Sequence, residues 1–315
     1  MSPGIRFLWL AVIFCVAHAP FVNDLARADE LPPIAETELE GPAEADAPAQ
    51  ESAQRPRRRF RPFRGPVLTK EEREEAERSK KLAAKFGVDP TAIVGRVQLF
   101  SEYADLDPSG SRRDVTLRVD LPWRKNWLLQ TILPFDRLID PDRSGIPSAS
   151  GVGDLTVNFL WRAYNTPEYA FLVGVASSFP TATDDRVGSG KYTVGPLLVT
   201  ARYLPLIKSF LFGALTHQLS VGGDPSRKDV QLTGALAQIN TIWAEKWWTT
   251  VQGLWLVNWE LNEKTSMKME FELGRNFIST WGAYVRPGVG IWGQSAPGTY
   301  NWNVEVGVRY VFGSF

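Results

Sequence analysis

The sequence predicts an all-β fold, a transmembrane antiparallel β-barrel of about twelve strands, on three observations. From about residue 93 the chain keeps returning to a strict two-residue alternation of apolar and polar side chains. The alternating runs last about ten to fourteen residues, longer than an ordinary soluble strand and long enough to cross a bilayer at a tilt. Short joins alternate with longer polar ones, as tight turns and long outer loops do in outer-membrane barrels.

The end of the chain shows the alternation most clearly. Tyr300, Trp302, Val304, Val306, Val308, Tyr310 and Phe312 share one face, and Asn301, Asn303, Glu305, Gly307 and Arg309 share the other. Met267, Met269, Phe271 and Leu273 alternate in the same way with Lys268, Glu270 and Glu272. So do Val115, Leu117, Val119 and Leu121 with Thr116, Arg118 and Asp120. A helix, with its period of 3.6, cannot produce this pattern. The short joins are Arg124-Lys125, residues 165–168 and Ala244-Glu245; the long ones fall at 140–150, 183–190 and 222–228. Trp123, Trp127, Trp243, Trp247, Trp281 and Trp302 lie near strand ends, where a membrane-interface girdle needs aromatic rings. Twelve runs begin near residues 93, 114, 126, 152, 168, 191, 209, 229, 246, 265, 280 and 300. An even count places both ends of the barrel in the periplasm. The pattern is weakest at 210–220 and near Ala237-Gln238-Ile239, where the phase slips as it would at a bulge; ten or fourteen strands are the alternatives.

Four segments divide the chain: a signal peptide at 1–28, a tail at 29–66, a charged helix and linker at 67–91, and the barrel at 92–315. Arg6 precedes an apolar run from Phe7 to Ala17, followed by two cleavage candidates, Ala17-His18-Ala19 and Ala26-Arg27-Ala28. The second is preferred, because acidic, Pro-rich sequence starts directly after it. The run falls short of the ~20 residues of an anchor helix, and Ile13-Phe14 are bulky for acylation at Cys15. Cys15 is the one cysteine, so cleavage leaves a chain without thiol chemistry. Residues 29–51 carry acids but no Lys or Arg, and Arg55, Arg57, Arg58, Arg59, Arg61 and Arg64 then follow closely. So few large apolar residues cannot offset the entropy of ordering, and the tail is expected to be disordered. It would act as a solvated tether, or its Arg cluster would hold an anionic surface. Thr69 and Glu72 form a capping box and Gly87 a stop, with Glu74–Arg78 and Glu77–Lys81 four apart between them. With almost no apolar face, this helix is expected to stand clear of the barrel.

Catalytic chemistry finds little support. The formal net charge of +0 argues against a nucleic-acid partner. His217, the sole His beyond the signal, has no Gly-x-Ser neighbour to serve. Asp184 and Asp185 fall short of the six to eight oxygens calcium needs. Glu270 and Glu272 stand about 7 Å apart on one strand face but lack a sugar cleft. No catalytic, cofactor or metal residues are assigned, and no enzymatic activity is expected. If the apolar faces meet lipid, the lumen is lined by Arg96, Glu102, Arg118, Asp120, Asp154, Arg162, Arg202, Lys268, Glu270, Glu272, Arg286, Glu305 and Arg309. These charges either orient solutes along an open path or pair across a narrow lumen.

A family resemblance rests on short Gly-rich motifs. Gly151-Val152-Gly153-Asp154-Leu155, Phe179-Pro180-Thr181, Gly188-Ser189-Gly190 leading into Val194-Gly195-Pro196, and Arg286-Pro287-Gly288-Val289-Gly290 together resemble the MetA-pathway phenol degradation family. The resemblance covers roughly 92–315 and implies an outer-membrane channel, for aromatic compounds in some members. Ala182-Thr183 intervene before Asp184, where the family runs straight from Pro-Thr into Gly-Asp. Gly313-Ser314-Phe315 follow Phe312, so two Phe residues compete as the terminal signal to the barrel-assembly machinery. The expected function is a bacterial outer-membrane channel passing small, hydrophobic or aromatic solutes, with lipid around it and its N-terminal tail in the periplasm. The alternative is a structural protein whose tail tethers the membrane to periplasmic or cell-wall partners.

Overall fold

The computed structural model describes residues 68–106, 110–141, 146–243, 246–293 and 299–313. The expected signal segment, the expected tail with its Arg cluster, and Ser314-Phe315 lie outside these residues, as does the short join Ala244-Glu245.

One helix, α1 (Lys70–Lys85), precedes the strands. Its capping box is present: the Glu72 amide donates to Thr69 Oγ1, and the Glu72 carboxylate accepts from the Thr69 amide at 2.8 Å. The strands are β1 (Gly95–Asp105), β2 (Ser111–Trp123), β3 (Trp127–Asp140), β4 (Ala149–Gly151), β5 (Leu155–Asn165), β6 (Tyr169–Phe179) and β7 (Lys191–Leu204). They continue as β8 (Ser209–Gly223), β9 (Gln231–Trp243), β10 (Trp247–Asn258), β11 (Lys264–Asn276), β12 (Trp281–Trp292) and β13 (Trp302–Phe312). Neighbours pair antiparallel throughout, and β13 returns to pair with β1, from Gly95 opposite Phe312 to Asp105 opposite Trp302. The ring is therefore closed. The short β4 pairs only with β3, at Arg137–Ile139, so twelve strands form the wall. Each expected strand start lies within three residues of an observed one.

Burial is inverted relative to a protein that folds in water. On β13, Val306 is 51% exposed while Arg309 is 3% exposed. The same inversion recurs on β11, where Phe271 is exposed and Glu272 buried. Outward apolar and inward charged side chains belong to a wall with lipid outside, where no polar group may go unpaired. The bulge expected near Ala237 is absent, since β9 pairs with β8 and β10 in unbroken register there. Register shifts fall instead at Val115/Thr116, Arg162/Tyr164, Tyr192/Thr193 and Met267/Lys268. Among the described residues four tight turns close one end of the barrel, where β1 begins and β13 ends; the longer loops lie at the other.

Candidate functional site

The lumen gathers the buried charged side chains of the wall, and its short-turn mouth is filled by the chain's own α1 and the segment after it. Helix α1 does not stand clear of the barrel. Ala76 is buried against Ala170, Ala201, Tyr203, Phe210 and Phe212 of the inner wall, and Ala83 packs with Phe86, Trp248 and Tyr284. Two alanines seven residues apart lie on one helix face, which lets the backbone approach aromatic side chains closely. Polar contacts hold the rim: Arg73 Nε donates to Glu168 at 2.9 Å, Lys80 Nζ to the Thr166 carbonyl at 2.7 Å, and Lys208 meets Glu75 at 2.9 Å.

Beyond the helix the chain stays buried from Phe86 to Asp89 and again at Thr91, Ala92 and Ile93. Ile93 packs on Leu128, Leu160, Leu172 and Val199, the inner face of β3, β5, β6 and β7. Toward the opposite wall, Arg96 Nη1 donates to the Gly87 carbonyl at 2.5 Å, Arg309 Nη1 donates to it at 3.2 Å, and Asn240 donates to the Val88 carbonyl. Gly87 sits at φ +66, and a Cβ there would come 2.9 Å from Val311. Both the left-handed backbone and the close approach require glycine. The segment 68–93 thus touches nearly the whole circumference and forms a plug.

From the level of the plug toward the long-loop end, one half of the wall carries a ladder of ion pairs. Asp120 on β2 accepts from Arg96 Nε at 2.8 Å and from Arg118 Nε at 3.0 Å. Glu272 on β11 meets Arg309 at 3.2 Å and also pairs with Arg286, which reaches on to Glu305 at 3.1 Å. The Arg309 guanidinium lies between two rings, 5.1 Å from the Trp248 centroid and 4.8 Å from that of Tyr284. Toward the long-loop end, Lys268 meets Glu270 at 3.2 Å, Glu270 accepts from the Tyr300 hydroxyl at 2.5 Å, and Glu102 meets Arg112 at 2.8 Å. Charge-assisted hydrogen bonds of this kind compensate the desolvation of each group only while both partners stay in place. The other half of the wall is different in kind. Leu172, Ala176, Leu197, Val199 and Ala214 on β6, β7 and β8 give it an apolar lining, by alternation with the exposed Val175, Leu198 and Leu215.

Two of the expected lining residues occupy the ends of the barrel. Asp154, before β5, accepts from the Ser189 amide at 2.6 Å and hydroxyl at 2.7 Å, which pins the β6–β7 loop. Arg162 donates to the Lys125 carbonyl at 3.0 Å, bracing the β2–β3 turn. Arg202 is a correction: it lies on the outer face of β7, opposite Tyr169 in register, with its guanidinium 5.7 Å from that ring. Its neighbours Ala201 and Tyr203 are the inward residues, held by α1, so the strand's phase puts Arg202 outside. Trp248, Tyr284, Asn240, Asp114 and Arg137 were not anticipated, although Asp114 and Arg137 pair at 2.7 Å on the inner face. The first signal for them was present, since Arg112 and Asp114 extend the β2 alternation by two steps. The imidazole Nδ1 of His217 lies 2.7 Å from Thr233 Oγ1.

No protein-family model matches the chain, and no curated protein sequence matches it. Solved structures do. The COG4313 outer membrane channel from Pseudomonas putida F1 superposes with a TM-score of 0.56 at 14% identity, over 71% of this chain and 98% of that one. The two share a fold, the closed antiparallel β-barrel. The NanC porin also matches, with a TM-score of 0.49 at 10% identity over 68% of this chain and 98% of that one. The KdgM porin, solved with disordered oligogalacturonate, matches with a TM-score of 0.45 at 10% identity over 69% and 99%.

Proposed function

We propose that this chain is a bacterial outer-membrane channel for small solutes, closed by its own segment 68–93 in the described conformation. The observation that carries the reading is a closed barrel with charged side chains inside and apolar ones outside, an inversion that supports a polar interior set in lipid. The short-turn end faces the periplasm in this reading, so the plug enters from that side, together with the N-terminal tail. Opening requires the segment, α1 included, to leave its socket, because Ala76, Phe86 and Ile93 together reach opposite walls.

The two-sided lumen supports a solute with an apolar body and a polar group. The lining of β6–β8 offers apolar contact, and the ladder from β11 to β2 offers fixed charges. Small aromatic acids have that form, in keeping with the resemblance to the MetA-pathway family. The test is uptake into proteoliposomes bearing the Ala76→Glu variant, comparing benzoate with gluconate, which matches it in charge. Faster benzoate entry is expected. Equal entry of both would reject the apolar wall as a selector, and entry no faster than into empty liposomes would reject the channel.

A further inference from the structure

The outer face at the short-turn end carries three arginines with no carboxylate partner among the described residues, each set over an aromatic ring. Arg124 lies 5.5 Å from the Trp123 ring centroid, Arg202 5.7 Å from Tyr169 and Arg275 5.1 Å from Trp247. Their places are built by the strands. Arg275 is the register partner of Trp247, and Arg202 that of Tyr169, so each cation and its ring project side by side from the wall. Arg124 occupies the tight β2–β3 turn with φ 58, directly after the exposed Trp123. The three pairs are spread around the rim and do not form one patch.

The other end of the barrel spends its cations differently. Arg186 pairs with Asp184 at 3.2 Å, Lys191 with Asp229 at 2.8 Å, and Arg227 donates to the Gly188 carbonyl at 2.7 Å. Among the described residues, the outer face there carries one cation–ring pair, Arg113 over Tyr103. Lipid-facing rings settle at the depth of the headgroups, and a cation held on such a ring reaches toward the phosphates. An unpaired guanidinium at that depth attracts anionic lipid and presents a planar fork suited to phosphate oxygens.

We propose that Trp123–Arg124, Tyr169–Arg202 and Trp247–Arg275 each bind the phosphate of an anionic phospholipid in the leaflet around the short-turn end. The claim stands apart from conduction, since it concerns the outer wall alone. The test is native mass spectrometry of the full chain released from bilayers of phosphatidylcholine with a minor share of phosphatidylglycerol. Wild-type protein is expected to carry phosphatidylglycerol enriched about fivefold per site, the ratio that a cation's attraction to anionic lipid implies. The Arg124→Gln, Arg202→Gln, Arg275→Gln variant is expected to lose the enrichment, and the three Lys substitutions to keep part of it. Inorganic phosphate in excess should leave the bound lipid in place. Equal retention of the two lipids by wild-type protein would overturn the proposal, whether or not the variants fold. So would unchanged enrichment in the Gln variant, or displacement by free phosphate.

Discussion

Arg309 donates to the carbonyl of Gly87 at 3.2 Å, joining the last strand of the barrel to the segment that fills its mouth. The same guanidinium reaches Glu272 at 3.2 Å, so one side chain belongs both to the wall and to the plug. Glu272→Leu should therefore cost about 3–5 kcal/mol, because it leaves Arg309 buried without its carboxylate. The double change Glu272→Leu, Arg309→Leu should recover part of that loss. Urea unfolding in detergent micelles measures both, and a single variant as stable as wild type would mean that the pair is not buried in solution.

Val306 faces outward at mid-strand on β13. Val306→Arg should cost about 2–4 kcal/mol if it sits at the bilayer midplane. Equilibrium folding into liposomes reads the cost, and a neutral result would show that this face does not meet lipid.

Trp248 lies flat on two glycines. A Cβ at Gly274 would come 2.0 Å from its ring, and one at Gly282 would come 2.8 Å from it. Gly274→Ala should push the indole off β11, at a cost of about 1–3 kcal/mol for overpacking. It should also loosen Phe86, whose ring centroid lies 6.0 Å from that of Trp248. Amide exchange across residues 86–93 should rise in the variant. Unchanged exchange with unchanged stability would place Trp248 elsewhere.

Three loop aspartates predict how the long-loop end responds to acid. Hydrogen bonds from the Arg186 side chain hold the Asp184 carboxyl below the ordinary aspartate value. Those from Ser226 do the same for Asp224, and those from Lys191 for Asp229. A lowered folded-state pKa gives a contribution present above the ordinary value of about 3.9 and lost as pH falls below it. Exchange protection in residues 180–190 and 224–230, corrected for intrinsic rates, should hold near pH 5 and fade near pH 3. Equal protection at both values would remove these contacts from the account.

The barrel was legible because its cause is local. A wall between lipid and polar lumen forces period-two alternation on each strand, and Val304 to Arg309 display it without help from distant residues. The same phase sets Arg118, Glu272 and Arg286 on the polar face of their runs, which is what makes the ladder readable in the sequence. Arg202 was misplaced because β7 reads Leu197-Leu198-Val199, apolar on both faces, so the phase there cannot be taken from hydropathy. The plug was illegible for a different reason. Ala76 and Ala83 leave no apolar stripe, and the socket that receives them comes from Tyr203, Phe210, Phe212 and Trp248, more than a hundred residues downstream. A helix that fits a preformed aromatic hollow by being small there carries no amphipathic signal.

Single-channel recording in planar bilayers tests the central claim most directly, with the full chain compared to Ala76→Glu. The substitution sets a carboxylate against Tyr203, Phe210 and Phe212, where Ala76 is fully buried and burial of a charge is costly. Helix α1 should leave its socket while the wall, which makes its own hydrogen bonds, stays closed. The full chain should then show long closed intervals, and the variant a sustained conductance several-fold higher on average. Steady large conductance from the full chain, unchanged by Ala76→Glu, would contradict the account.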